Sequence, residues 1–593
     1  MLRHPVASLA IATIVALLPM LLLGASMKSH DGHDHAMWIE MFSRQFFRGD
    51  LYPRWLVEAN AGMGSPTFHY YFPLPYYLSL PLAWMSPFDP DGRYRLAVMS
   101  ALTLFMSGIT MRAWLLQLFG RKAALLGGLI YLLLPFHVLF DIVIRHAYPQ
   151  AVATTLLPLM LYAIHRLVDD RPYGFTLLVG TISALLLTHL PTALIAAPFV
   201  GLYALMITLY SGHGRSLWKI LFALPIAAAL SSFYTAPMAL MRPFVSMEST
   251  VVGYLRYENH FLIGGKLWDQ SFNGMIEILV VLAVLLSIFL AFNTGKVVDK
   301  SEEQVDRTIP WKIFSLFTIA ASSFMMWEGS AVVWEHVSII RMVQFPHRFL
   351  VMFTIGFTML CAGALHHGRL TRIDHEEDDP MKVSDDVEHR SPRGARWIYA
   401  IVIVMMLGSL ALFVKYDYIF YVAPKSDFRD PGIAEELRLR VQPIEYVTRW
   451  ARRTVPSDEN GFFRYVTAST GWERGYRRVA GAGSVRIVDD DVETITIRAE
   501  STRGMTIDLH RFYFIDQSIA VDSGLAALRP SPIDGMMRVT IPAGKREVTI
   551  RRVMTPPEIR GMILSIVALL LLILFERVES VRRMRMRSSD FAA

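Results

Sequence analysis

Imidazoles and carboxylates crowd one short stretch near the amino terminus. His30, Asp31, His33, Asp34 and His35 fall within six residues. Glu40 and Arg44 follow as an i,i+4 pair on an amphipathic helical pattern with Met37, Met41 and Phe42 on one face. Two chemistries suit this stretch. Asp34 could act as a catalytic base towards an acceptor hydroxyl. Alternatively His33, Asp34 and His35, with Asp31, could ligate a divalent metal ion, although the spacing is not a zinc pattern such as HExxH. The plain alternative is a solvated, helix-capping loop with no chemistry.

Two further stretches carry charge at the edges of apolar runs. "FDIVIRHAYPQ" supplies Asp141 as a second acidic group and Arg145 and His146 as phosphate contacts. "RMVQFPHRFL" supplies Arg341, His347 and Arg348. An arginine fork binds phosphate oxygens in pairs and stays charged at every working pH. Set against this, Arg145 could simply snorkel to the interface. Arg348 could pair with Asp34 or Asp141 and only hold helices together. His189, in the turn before Pro191, reads as a hydrogen-bonded turn histidine. The stretch 239–272, with Arg242, Arg256, Glu258, His260 and Lys266, is either a substrate-covering loop or a connector.

The elements that must position these groups follow from composition. Of 593 residues, 53% are apolar and 18% charged, against about 25% charged in a soluble domain. A membrane span needs about 20 mostly apolar residues. Runs of that kind begin with an uncleaved anchor at 6–24. They recur at 94–118, 122–140, 150–167, 174–188, 191–210, 219–238, 273–293, 311–327, 346–365, 397–414 and 558–575. The expected fold is therefore a polytopic α-helical membrane protein of about twelve spans. The run 72–85 is broken by Pro73, Pro75 and Pro81 and reads as an interfacial or re-entrant piece.

With the amino terminus inside, the inside loops carry Arg121, Lys122, Arg166, Arg171, Arg215 and Lys219, then Lys296, Lys300 and Arg307. The basic tail adds Arg577, Arg582, Arg583, Arg585 and Arg587. The positive-inside rule then places both termini in the cytoplasm of a cytoplasmic (inner) membrane protein. It also explains the net charge of +7 without nucleic acid. The domain division is 1–414 for the multi-span part, with its first exterior loop at 25–93. An extracytoplasmic, mostly β module spans 415–557, and the final span and tail 558–593. The module holds 22 Lys and Arg and 19 Asp and Glu, no nucleic-acid stripe, and alternating runs such as "VETITIRAE". The loop 366–396 reads as a solvated connector.

Several pieces together resemble a known family. These are "DHAMWIEMFSRQFFRGDLYPRW", "GSPTFHYYFPLPYYL", "VIRHAYPQAVATTLLPLMLY", "THLPTALIAAP", "MVQFPHRFLVM", "QPIEYV" and "IPAGKREVTIRRVMTPPEIRGMILSIVALLLL". Over nearly the whole chain they resemble the bacterial membrane-protein family labelled 6-pyruvoyl-tetrahydropterin synthase-related. More broadly they resemble the GT-C class of integral-membrane glycosyltransferases. The label carries no pterin chemistry here, since nothing reads as a soluble pterin-synthase fold. The resemblance implies a polyprenyl-phosphate-linked sugar donor, a glycan or lipid acceptor, and an acidic base or metal ligand in the first exterior loop, here Asp34, with Glu40 a poorer second catalytic candidate. Many GT-C proteins pair two acidic residues there; in this chain the neighbour is His35. The resemblance also implies that Arg145, His146, Arg341 and Arg348 meet the donor phosphate, in envelope glycan or glycolipid synthesis.

A polytopic transporter or flippase, or a scaffold for polysaccharide export, competes with this reading. The spans carry few mid-membrane charges and no internal repeat. There is no GxSxG, no P-loop, and a single cysteine, Cys361, inside a span.

Overall fold

Apolar runs of helical length need partners that satisfy every backbone group inside lipid, and the helix does this within itself. The computed structural model describes residues 4–26, 29–245, 256–264, 270–293, 308–376, 446–452, 475–521 and 526–590. The helices are α1 (Pro5–Leu23), α2 (Gly32–Phe47), α3 (Thr67–Tyr70), α4 (Leu74–Ser79), α5 (Arg93–Leu115) and α6 (Arg121–Leu133). A π-helical segment, Phe136–Ile144, then precedes α7 (Tyr148–Val168), α8 (Gly174–Leu186) and α9 (Leu190–Tyr210). α10 (Arg215–Leu230), α11 (Ser232–Leu240), α12 (Gln270–Asn293), α13 (Thr308–Met326), α14 (Ala331–His336) and α15 (Leu350–Glu376) follow. The chain closes with α16 (Pro556–Asp590).

Seven of these stretches are long and apolar enough to cross a membrane, or eight if α10 and α11, bent by 69°, make one broken span. The expected twelve is not reached among the described residues. The run at 174–188 forms only the 13-residue α8, about 20 Å long against a hydrocarbon core of about 30 Å. The expected span at 397–414 lies outside the described residues, as does most of the connector. α12 and α13 stand where spans were expected at 273–293 and 311–327.

The helices pack in sequence neighbours, α1 on α5, α5 on α6 and α7, α7 on α8, and α13 on α15. The basic turns share one end of this bundle. Lys219 at the start of α10 lies 3.2 Å from Asp170, and Thr176 of α8 donates to Glu576 near the tail at 2.8 Å. The opposite end carries α2 to α4 and the β strands. Glu40 of α2 is buried against Arg95 at the start of α5 and also accepts from Arg44 at 2.6 Å. Gly92 (φ +75°) lies where α2 crosses: a Cβ there would sit 2.2 Å from the Ala36 carbonyl oxygen.

Two four-stranded antiparallel sheets stand on this end. One has the order β1-β4-β7-β6, from Tyr476–Gly481, Met505–Phe512, Met536–Ile541 and Ala527–Pro530. The other has the order β2-β3-β8-β5, from Ser484–Asp490, Thr494–Ser501, Gly544–Arg552 and Gln517–Val521. Their alternating inward faces share a core of Ile497, Ile507, Leu509, Val539, Ile541 and Val548.

A buried ionic cluster fastens the sheets to the helices. Arg54 pairs with Glu558 at the head of α16, and Arg552 of β8 pairs with Asp516. His69 lies between them, 3.5 Å from Glu558 and 3.6 Å from Asp516. Burial holds His69 below the ordinary histidine range, while its guanidinium and imidazole neighbours hold Asp516 well below the carboxylate range. Two arginines against two carboxylates leave the cluster balanced with His69 neutral. Removing one arginine strands a buried charge, which costs about 3–5 kcal/mol. Arg54→Met is therefore expected to lower the thermal unfolding midpoint in detergent clearly. Adding Glu558→Gln to the same chain should restore most of the loss.

Candidate functional site

The π-helical segment is the element that assembles the site. Its wider turn carries Phe140, Asp141 and Arg145 around one side; Arg145 N–H donates to the Phe140 carbonyl at 2.9 Å. The chain then reverses through His146 in the left-handed region (φ 52°), and Ala147 N–H returns to the Asp141 carbonyl at 2.8 Å. Pro149 at the head of α7 gives up no hydrogen bond there. Gln150, one residue on, donates to both Asp141 carboxylate oxygens at 3.0 and 3.3 Å. Arg145 donates to Gln150 Oε1 at 3.3 Å and lies 3.4 Å from Asp141. All three side chains are buried.

The second arginine comes from the turn before α15. Arg348 donates to the Val343 carbonyl at 2.7 Å. Its guanidinium lies 4.7 Å from the Phe345 ring centre, and that of Arg145 lies 5.9 Å from the same ring. Both cations thus rest on one aromatic ring. Arg348 faces Asp31 and Asp141 electrostatically. Yet among the described residues no carboxylate approaches it within salt-bridge distance, and its buried Nε has no hydrogen-bond partner.

The third part is the entry to α2. Asp31 N–H donates to the Arg145 carbonyl at 2.8 Å, and His30 N–H to that of Ile144 at 3.1 Å. These two backbone bonds pin the head of α2 to the arginine turn. The Asp31 carboxyl faces Arg145, Arg348 and Asp34; burial raises it above the carboxylate range against the pull of Arg145. Asp34 is one helical turn on, at the rim, with 31% of its side chain exposed and His33 3.5 Å away. His189 caps α9, accepting from Thr192 N–H at 3.3 Å. Burial, with Arg348 and Arg145 nearby, holds it well below the histidine range. It is a turn histidine, as its position before Pro191 suggested, and it borders the cluster as well.

The structure thus brings together Asp141, Arg145 and Arg348, with Asp34 at the edge. It does not bring in the other expected residues. Glu40 is held by Arg95, Arg44 and Ser86. Arg341, in the 3₁₀ turn Ser338–Val343, donates to the carbonyls of Trp334 and Glu335 near the end of α14. His146 turns its ring to Ser100 of α5, 3.0 Å away. The three residues expected around a metal diverge. His33 stays with Asp34, whereas His35 Nδ1 lies 2.7 Å from the Tyr76 hydroxyl inside an aromatic cluster with Trp38 and Tyr148. Among the described residues no group of three or more His, Cys, Asp or Glu could hold a metal ion, so the donor set does not fit one. Asp31 was visible in the sequence only as a possible ligand; its i,i+3 relation to Asp34 is the signal that places both on one face. Gln150 carried no signal.

An apolar groove lies between the π-helical segment, α12 and α15, on two of the segments that lead to the arginines. Leu134, Phe136, Leu139, Val280, Leu350 and Phe353 line it, with Thr354 as its polar exception. The space within it is small, about 50 Å³, and it opens at the side.

Residues 68–260 match the family described as 6-pyruvoyl-tetrahydropterin synthase related domain, membrane protein. The matched segment contains Asp141, Arg145, Gln150 and His189, while Asp31 and Asp34 precede it and Arg348 follows it. No curated protein matches the chain. Among solved structures it is similar to the arabinofuranosyltransferase AftD from Mycobacteria, at 13% identity and TM-score 0.41, over 71% of this chain and 27% of that one. It is also similar to the Archaeoglobus fulgidus oligosaccharyltransferase tethered with an acceptor peptide, at 13% identity and TM-score 0.39, over 75% and 60%. The AglB oligosaccharyltransferase from the same organism, in complex with an inhibitory peptide and a dolichol-phosphate, gives 14% and 0.39, over 75% and 61%. The chain therefore spans about a quarter to three fifths of the length of these proteins.

Gln150→Leu removes both hydrogen bonds that hold the buried Asp141 carboxylate. A stability loss of about 1.5–3 kcal/mol is expected. Thermal unfolding of the purified protein in detergent measures it, and an unchanged midpoint would show that Gln150 is not the bracket described here.

Proposed function

We propose that this protein is a membrane glycosyltransferase that takes its sugar from a polyprenyl-phosphate-linked donor on the β-domain side of the membrane. One observation carries the reading. Arg348 is buried, has an unpartnered donor, and stands with Arg145 on the segments whose next turns line an apolar groove. A lipid phosphate supplies what that arrangement lacks: oxygens for the guanidinium groups and an isoprenoid chain for the groove.

The acidic groups then fall at a useful distance. Asp31 lies beside the arginines and Asp34 one turn further along the same face, about 5–6 Å away. A sugar ring attached to the phosphate fills that interval. Asp34, at the accessible rim, takes the proton from the acceptor hydroxyl. The acceptor oxygen forms the new bond at the anomeric carbon as the bond to the phosphate oxygen breaks. The electron pair leaves with the phosphate, and Arg145 and Arg348 stabilise the charge that develops there. No covalent enzyme intermediate is needed, and no step runs through a metal ion.

The basic turns gathered at the opposite end of the bundle support an inner-membrane protein with cytoplasmic termini and an extracytoplasmic β domain. That places the site where envelope glycan or glycolipid is built, with a glycan or lipid as acceptor.

Binding of a polyprenyl phosphate to the purified protein in nanodiscs tests the donor site. Arg348→Met is expected to weaken it by about 10- to 100-fold, the loss of a charge-assisted contact. Glycan mass spectrometry of a deletion strain tests the chemistry: wild-type protein should restore the missing product and Asp34→Asn should not. Equal binding by Arg348→Met, or full activity in Asp34→Asn, contradicts the respective assignment.

A further inference from the structure

The segment between the first loop and α5 leaves its largest aromatic side chains uncovered. Trp84 is 70% exposed and Phe88 83%. Leu78, earlier in the same segment, is exposed as well, as are Phe47 and Leu51 on the Tyr77 side of it. Solvated apolar groups of this size, grouped on one side of a soluble loop, mark a surface that meets something apolar. The segment is not loose. Tyr76 is buried, Tyr77 packs on Phe42 at 5.0 Å, and the Tyr77 hydroxyl donates to the Leu51 carbonyl at 2.8 Å. Ser86 donates to Glu40 at 2.8 Å, inside the charge cluster that ties α2 to α5.

The level of this surface relative to the membrane is fixed by the neighbouring spans. Asp89 caps α5, accepting from the Tyr94 and Arg95 backbone N–H groups at 3.0 and 2.8 Å. Phe88 is therefore adjacent to the first turn of a span. α1 ends at the same height, because Ala25 N–H donates to the Arg93 carbonyl at 3.1 Å. The lipid-facing belt of α1, with Leu22 and Leu23 exposed, runs up to this height. Tryptophan and phenylalanine at that depth fit the boundary between headgroups and acyl chains.

We propose that Trp84 and Phe88, with Leu78 of the same segment, are inserted in the leaflet on the β-domain side. The 3₁₀ turn Leu80–Met85 then forms an interfacial foot whose partner is phospholipid. Through Glu40, Arg95 and Ser86 this foot fixes the height of α2. It thereby sets the depth at which Asp31 and Asp34 stand, whatever reaction the site performs.

The test uses the full chain in lipid nanodiscs, with a fluorescent NBD group on W84C, on F88C, or on R503C in an exposed turn of the β domain. The native Cys361 is buried and should label negligibly in the unsubstituted protein. Labels at 84 and 88 are expected to emit to the blue of the label at 503. They should lose emission to lipids spin-labelled near the ester carbonyls more than to lipids spin-labelled at the bilayer centre. The label at 503 should lose none to either. Labels at 84 and 88 that behave like the one at 503 overturn the proposal. So do labels shielded from aqueous iodide yet insensitive to the lipid quenchers, which would mean that a second copy or another protein covers the surface. Hydroxyl-radical footprinting of the unsubstituted protein in the same nanodiscs needs no variant. Trp84 and Phe88 should stay unmodified, and extensive modification of both contradicts insertion.

Discussion

Two guanidinium groups resting on one phenyl ring set the terms for this end of the molecule. Burying a cation is costly unless partners replace its water. Arg145 has such partners in Asp141 and Gln150. Arg348 has one carbonyl and the Phe345 ring, and part of its donor capacity is left over. The remaining features follow as supports for that pair. The π-helical turn sets Asp141 beside Arg145, the 3₁₀ turn at Pro346–Phe349 delivers Arg348, and the head of α2 is hydrogen-bonded to the Arg145 carbonyl. A region of unmatched positive charge, bounded by acidic groups on one side and with an apolar groove on the adjoining turns, suits an amphiphilic anion.

Rigidity at this end comes from two further charge clusters that take no part in the proposed chemistry. Glu40 and Arg95 lock α2 to α5. Arg54, His69, Asp516, Glu558 and Arg552 lock the first loop to the β sheets and to α16. Each is close to electrically balanced, which is what allows it to be buried. The second cluster ends at His69, two residues before Tyr71, whose ring packs on Trp38 of α2 at 4.6 Å. The β domain is thus mechanically continuous with the helix that carries Asp31 and Asp34.

Much of the fold was legible because its signals are local. Apolar runs gave helices, alternating runs such as "VETITIRAE" gave strands, and charged residues at run edges pointed to Asp141, Arg145 and Arg348. The failures share a different cause. Glu40 looked available because its i,i+4 partner Arg44 is visible in sequence, whereas Arg95 lies 55 positions away. The Arg54–Glu558 pair spans 504 positions and leaves no local trace. Arg341 and Arg348 look alike in sequence, yet one binds the end of the preceding helix α14 and the other enters the cluster. Hydropathy does not give helix length: the run at 174–188 forms a helix of only 13 residues, α8. The three proposed metal ligands diverge because residues two apart on a helix point about 200° apart, which sends His33 and His35 to different sides.

The central claim is that Arg145 and Arg348 receive a phosphate whose lipid chain enters the groove on the adjoining turns. A cryo-EM structure of the protein in nanodiscs with a polyprenyl phosphate bound tests it most directly. The account predicts phosphate density bridging the two guanidinium groups, with continuous chain density between Leu139, Val280 and Leu350. Phosphate density elsewhere, with this pair and the groove empty, would contradict it.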